Sequence, residues 1–371
     1  MNTRRAFTLV EILTVIAIIS ILVALVTLAV AGAMRAAKRA RIGWEMNQIA
    51  MALEQYKNEF GEYPPDFFDD DAVVRHVKKR WPRYELPQGA SNQVIAARLR
   101  NAVALVYLNQ DVYHKDMRQE WTGQNTNPLE FGFTHGNADI ASLAIWLGGF
   151  ANEEGRFEGF SADPEAPFGR DADGNINKGA SGASLNVNTL KIETPDKKVF
   201  MDMEINKNVF CFNFVSGGRP VLGLCLGTKS GSTIQPIVYF RGSSSGGNDA
   251  YYDHRLASPR IKSYNFENIT STGTAPGSAW SDCGFVVPYG KSGTYDVDLN
   301  DSTVVWNNAT TYQLIHPGLD GKFGGLDANG PPIAQFFRSI GGSGSTNNLG
   351  FHDLDNITNF SDYKELQSIL P

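Results

Sequence analysis

RRAFTLVEILTVIAIISILVALVTLAVAGAM, Arg4 to Met34, decides how this chain is read. A short polar lead with Arg4 and Arg5 is followed by an apolar run, and from Ile12 to Met34 no residue is charged. As a helix, that uncharged run rises about 35 Å, enough to cross a hydrocarbon layer of ~30 Å. A cleaved secretory signal is the competing reading, with Ala31-Gly32-Ala33 as its cleavage site. Its apolar region is usually about 7–15 residues, so the length here favours a retained membrane helix. Glu11 breaks the pattern at the start of the run. A carboxylate inside a membrane segment costs roughly 2.5–3.5 kcal/mol even on lenient insertion scales, which points to a paired, functional group. The plainer alternative is that Glu11 marks the headgroup boundary.

Beyond the span the helix continues. Ile42, Met46, Ile49, Leu53, Tyr56 and Phe60 recur at helical spacing and form one apolar stripe. Gly61 and Pro64-Pro65 end it. A helix from Phe7 to Phe60 would be about 80 Å long, with its first half in lipid and its second half docked on a head.

Residues Arg4 to Leu13, followed by an unbroken apolar helix, resemble the N-terminal signature of type IV pilins and type II secretion pseudopilins. The resemblance implies that a prepilin peptidase cuts between Ala6 and Phe7 and that Phe7 becomes the N-methylated terminus. Glu11 is then the intramembrane carboxylate that pairs with the terminal amine of a neighbouring subunit, a register device for filament growth. Ala6 stands where the family usually has Gly, and the mid-helix Pro of many members is replaced by Val26-Thr27-Leu28-Ala29. The exit EFGEYPPD, Glu59 to Asp66, also resembles that of the major pseudopilin group.

Topology is contested between two readings. Arg4 and Arg5 precede the span, whereas Arg35, Lys38, Arg39 and Arg41 follow it. Counting basic residues alone puts the large body in the cytoplasm. The resemblance puts it in the periplasm or exterior, on a single-pass inner-membrane anchor, and we follow it because the processing motif is the more specific signal. The basic cluster then meets lipid headgroups or acidic neighbours, or is a solvated helix face.

The chain has 371 residues, 33 Lys+Arg against 39 Asp+Glu, and a formal net charge of −6. That balance argues against a general nucleic-acid binder. Its 37 glycines suit a loop-rich, strand-rich body, and its 3 cysteines exclude a disulfide-dense scaffold. The expected fold class is α+β: a long N-terminal helix packed on a large C-terminal domain with an antiparallel sheet and a helical insertion. The expected parts are a leader (1–6), a membrane helix (7–34), an amphipathic spine (35–60) and a head (61–371) with its insertion at about 67–155.

Within the head, the acidic run Asp69–Asp71 and the basic run His76–Arg83 read as solvated loop faces. Ser91–Asn109 and Asn137–Leu147 read as helices. Val199–Ile205, Val209–Val215, Val221–Leu226, Pro236–Arg241, Thr303–Trp306 and Thr310–Ile315 read as strands. Gly242–Gly247 and Gly341–Ser345 read as loops, and Ser361–Leu370 as a short closing helix. Cys211 and Cys225 are symmetric about Gly218, so a hairpin turning there would face them across two strands, as a disulfide or as two buried thiols.

Leu314–Gly325 (LIHPGLDGKFGG) and Asp353–Asn359 (DLDNITN) resemble the C-terminal calcium loop of the major pseudopilin, split here by Leu326–His352. That resemblance implies calcium held by Asp320, Asp353, Asp355 and Asn356 with loop carbonyls, since calcium takes six to eight oxygens. Asp171 to Asn177 is a second oxygen-rich run but lacks the spacing of an EF-hand and reads as an Asx-rich turn. Gly242-Ser-Ser244-Ser-Gly246 matches a nucleophile elbow only formally, inside a Ser/Gly tract. The six histidines show no metal-ligand spacing. The expectation is therefore a non-enzymatic structural subunit whose partners are prepilin peptidase, other pilin-like subunits and inner-membrane lipid. The alternative is a membrane-anchored minor pilin-like protein for binding or adhesion, which the size of the head favours.

Overall fold

A computed structural model describes residues 9–109, 139–179, 185–186, 189–216, 219–230, 233–243, 247, 250–253, 260–262, 264–265, 279–280, 285–292, 304–323, 335–336 and 355–366. One helix, α1 (Leu9–Phe60), runs without a break from the apolar span to the head. Gly61 stops it with φ +73°, and its N–H bonds back to the Lys57 carbonyl at 2.6 Å, a left-handed glycine cap. From Leu9 to Met34 the helix is exposed along its length and is long and apolar enough to cross a membrane. Its outer half is different. Ile42, Met46, Ile49, Leu53 and Tyr56 are buried against the head, the stripe expected from their spacing, and Phe60 packs at its edge.

The helical part of the head begins with a correction. Asp69–Asp71 and the basic run that opens at His76 are not loop faces; they are the two ends of a helix, α2 (Asp70–Arg80). Asp69 caps it, accepting the Ala72 N–H at 3.0 Å, with Asp70 and Asp71 in the first turn and Lys78, Lys79 and Arg80 in the last. Acids at the start and bases at the end complement the helix dipole. The charges flank a face of Val73, Val74, His76 and Val77 that is buried. α3 (Asn92–Asn109) follows, with the Ser91 hydroxyl accepting the Val94 N–H at 3.4 Å. The helix expected from Asn137 is shorter: a 3-10 turn, Asp139–Ala141, leads into α4 (Ser142–Gly148), and Asn137 lies outside the described residues.

The strands are antiparallel in the main. β1 (Val209–Ser216), β2 (Arg219–Ser230) and β3 (Thr233–Pro236) form a meander, extended by a parallel pairing of β3 with the short strand Ala279–Trp280. A second sheet sets β5 (Tyr312–His316) between β4 (Val238–Arg241) and β6 (Ile357–Thr358), all antiparallel. The architecture is α+β, as expected. Val199–Ile205 is not a strand: it makes only isolated bridges, Glu204 with Arg156 and Ile205 with Val209. Left-handed residues stand close by at Lys197 and Asn206, where the extended backbone turns away. A 3-10 turn, Asn359–Ser361, replaces the start of the closing helix, and residues 367–371 lie outside the described ones. So do residues 341–345 and 244–246 of the two Ser/Gly tracts.

The β1–β2 register corrects the cysteine geometry. Phe210 stands opposite Cys225, and Cys211 opposite Leu224. The hairpin turns half a residue earlier than symmetry about Gly218 requires. A one-residue offset places two strand positions on opposite faces. Cys225 is a buried free thiol.

Candidate functional site

Three places in the chain hold candidate functional residues. The first is the N-terminal segment. Ala6 and Phe7 lie outside the described residues, and Glu11 sits in the first turn of α1 at the head of the apolar span. The span contains two hydroxyls that satisfy themselves along the helix: Ser20 donates to the Ile16 carbonyl and Thr27 to the Val23 carbonyl, each at 2.7 Å. No hydroxyl of this kind need be presented to lipid as an open donor.

The second place is where α1 leaves for the head. Its polar residues form a network that sequence alone does not reveal. Burial keeps the His76 imidazole neutral, with its pKa lowered. Its Nδ1 lies 3.0 Å from Glu62, a pure acceptor, so Nδ1 carries the proton and Nε2 accepts from the Tyr56 hydroxyl at 2.5 Å. Arg80 donates to that same hydroxyl at 3.2 Å, and Arg241 donates to Glu62 at 3.0 Å. Burial would raise the Glu62 carboxyl, but the His76 hydrogen bond and the Arg241 charge outweigh it and hold it at about 2. Burial dominates at Tyr56, pushed up to about 12.

Beside this relay lies a buried ion pair. Lys262 Nζ donates to Asp66 at 2.7 Å and to the Arg241 carbonyl at 2.6 Å. Asp66 also accepts the Arg241 N–H at 2.8 Å and the Phe68 N–H at 3.3 Å. Tyr239 closes the joint by donating to the Pro64 carbonyl at 2.7 Å. The EFGEYPPD exit is thereby tied through Glu62, Pro64 and Asp66 to α2, β4 and Lys262. The joint sets the angle between spine and head, and it is built from polar bonds that lose most of their value if one partner is removed.

The third place is the proposed calcium loop. The structure brings Asp320, Asp355 and Asn356 to one end of the β4–β5–β6 sheet; Asp353 lies outside the described residues. Asp355 Oδ2 accepts the N–H groups of Leu319 at 2.8 Å and Asp320 at 3.0 Å. Its Oδ1 is buried with no hydrogen-bond partner. Burial first, then the charges of Asp320 and Glu365, push the Asp355 carboxyl up to about 6, against the two backbone donors. Gly318, at φ +64°, lets the chain pass close: a Cβ there would meet the Asp355 carbonyl at 2.2 Å. Asn356 is buried and donates to the Tyr289 hydroxyl at 2.8 Å. Among the described residues no three His, Cys, Asp or Glu side chains gather as a metal cluster.

Two other motifs resolve into structure. Both Asp171 oxygens are used, Oδ1 by the N–H groups of Asp173 and Asn175 and Oδ2 by Asn186 N–H and Asn175 Nδ2. This is an Asx-rich turn. His316 Nδ1 accepts the Gly318 N–H at 3.1 Å, so its Nε2–H faces Thr228 at 2.8 Å, and burial lowers the ring to about 3. It is a neutral core group.

Against this geometry, residues 1–27 match the family described as the prokaryotic N-terminal methylation motif. The chain is type IV pilin-like. The matched segment contains Ala6, Phe7 and Glu11 and ends inside the apolar half of α1. The motif carries processing by prepilin peptidase and pilin-like assembly, and with the apolar helix it makes this pilin-like protein membrane-anchored. Neither comparison with curated proteins nor comparison with solved structures gives a match.

Proposed function

We propose that the protein is a non-enzymatic structural subunit of a pilin-like filament of the type II secretion pseudopilin kind. Prepilin peptidase cuts between Ala6 and Phe7, Phe7 becomes the methylated terminus, and Glu11 pairs with the amine of a neighbour. Residues 7–34 anchor it in the inner membrane, residues 35–60 form the spine, and residues 61–371 form a periplasmic head. The observation that carries this reading is the methylation motif at the start of an unbroken helix whose outer half docks on the head. Intact-mass and N-terminal peptide spectrometry on protein from native membranes tests it. A mature chain starting at methylated Phe7 is expected; a chain starting at Met1 would leave an ordinary anchor and favour the charge-based topology.

The same reading includes calcium at Asp320, Asp355 and Asn356, with Asp353 as the fourth side chain. The residues fit such an ion: a buried carboxylate oxygen lacks a donor, and a second carboxylate lies beside it. A bound cation would supply the positive charge that these acids lack. Because the folded pKa of Asp355 lies above the ordinary carboxylate value, the cation-free head loses stability as pH rises from about 4 through 6. Calcium should reverse that loss. Its affinity should fall by up to about tenfold per pH unit below 6, as the proton takes the carboxylate. Calcium titration of the full chain in detergent at pH 5 and pH 7.5, followed by melting temperature, measures this. Equal calcium response at both pH values, or none in Asp355→Asn and wild type alike, would remove the site.

A further inference from the structure

The outer half of α1 carries a second apolar surface, on the side away from the head. Trp44 is 62% exposed and Met51 is 56% exposed, the two large apolar side chains of the spine beyond the span that the head leaves open. At 100° per residue Trp44 lies about opposite Leu53, which is fully buried. Beside Trp44 and Met51 runs an open groove of about 480 Å³ between the spine and the head, walled by Phe200, Met201 and Ile237. Arg41 on its lip is neutralised by Glu45 at 2.8 Å.

This surface is continuous with the membrane span. Val26, Val30, Ala33, Ala37, Ala40, Trp44 and Met51 follow one another at spacings of four, three, four, three, four and seven. The basic residues Arg35, Lys38 and Arg39 fall off that line, so an uncharged path leads from the span to the groove. Lipid does not reach so far. Trp44 stands ten residues beyond Met34, about 15 Å along the helix, whereas the headgroup layer adds only ~5–8 Å on each side. Met51 is about 10 Å farther still.

We infer that this face and groove receive the apolar half of α1 from a second copy of the chain. Leu9 to Met34 is the segment that needs such cover: its large side chains are 48–77% exposed, and once drawn out of the bilayer they have no apolar solvent. The surface that matches them is on the same helix, one length farther out, so each copy offers a site for its neighbour's span in a head-to-tail arrangement that propagates. This inference rests on the proposed assembly and adds where on the head-bearing half the neighbour lies.

Photocrosslinking in native membranes, with the full chain and its peptidase present, tests it. Benzoylphenylalanine is placed at position 44, at position 16 inside the span, and at exposed position 75 on α2 as a control. The expected result is a dimer from positions 44 and 16 but not 75. The position-44 adduct should map to residues 9–34 of the second copy and fall at least fivefold with Met51→Glu. A dimer from position 16 with none from position 44 overturns the inference and leaves assembly standing. Adducts of position 44 with lipid or with another protein also overturn it. Absence of dimer at both 16 and 44 overturns the assembly reading itself.

Discussion

Asp66→Ala should destabilise the head by about 3–5 kcal/mol, the largest single-residue effect expected outside the membrane. The physical cause is the group left behind. Lys262 is buried, and its ammonium keeps only the Arg241 carbonyl when Asp66 is truncated. The backbone N–H groups of Arg241 and Phe68 lose their acceptor in the same step. Water cannot replace these bonds without opening the joint among Phe68, Tyr251 and the exit loop, where Lys262 Nζ lies 5.7 and 5.8 Å from the two ring centres. Thermal denaturation of the full chain in detergent, followed by tryptophan fluorescence, should show a fall of roughly 10 °C. The double variant Asp66→Leu with Lys262→Met should recover much of the loss, because it removes both charges together. A single variant within about 1 kcal/mol of wild type would mean the pair is solvated and the joint is not held this way.

Glu11→Ala should leave membrane insertion intact and lower incorporation into assemblies on the order of 100-fold. In lipid the carboxylate is a cost of roughly 2.5–3.5 kcal/mol, so its removal makes the anchor more apolar. On the proposed pairing, that cost is offset when a neighbour's terminal amine meets it, and an amine without its carboxylate is left charged in an apolar setting. The lost pairing, at about 1.4 kcal/mol per tenfold, gives the magnitude. Glu11→Gln should behave like Glu11→Ala, since it retains the shape without the charge. Sedimentation of membrane-extracted assemblies gives the readout, and N-terminal spectrometry on the same sample shows whether Phe7 was still processed. Normal assembly of processed Glu11→Ala would show that Glu11 merely marks the membrane boundary.

The N-terminal half of this molecule was legible from local pattern alone. An uncharged run long enough for a bilayer, a stripe at helical spacing and a glycine before two prolines suffice to draw α1, because each is a property of neighbours along one helix. The strands from Val209 to Arg241 were legible for the same reason. The errors fall where long-range contact overrides local pattern. Asp69–Asp71 and Lys78–Arg80 look like solvated charge runs, but between them lie four residues that pack inward, and burial of that face makes them helix ends. Cys211 and Cys225 look symmetric, but register is set by which residues the sheet buries, and the turn falls half a residue away.

What the sequence by itself determined is the anchor: the processing site at Ala6-Phe7, the carboxylate at Glu11 and the length of the spine all sit within 60 contiguous residues. Only the tertiary structure decided how the spine is joined to the head. Glu62, His76, Arg241, Asp66 and Lys262 come from segments far apart in the chain, and the pairs that form separate them by up to 196 positions. No spacing rule reaches across such distances. The pairing follows from burial, which leaves an ion or a hydrogen-bond donor no alternative but the partner that folding brings to it.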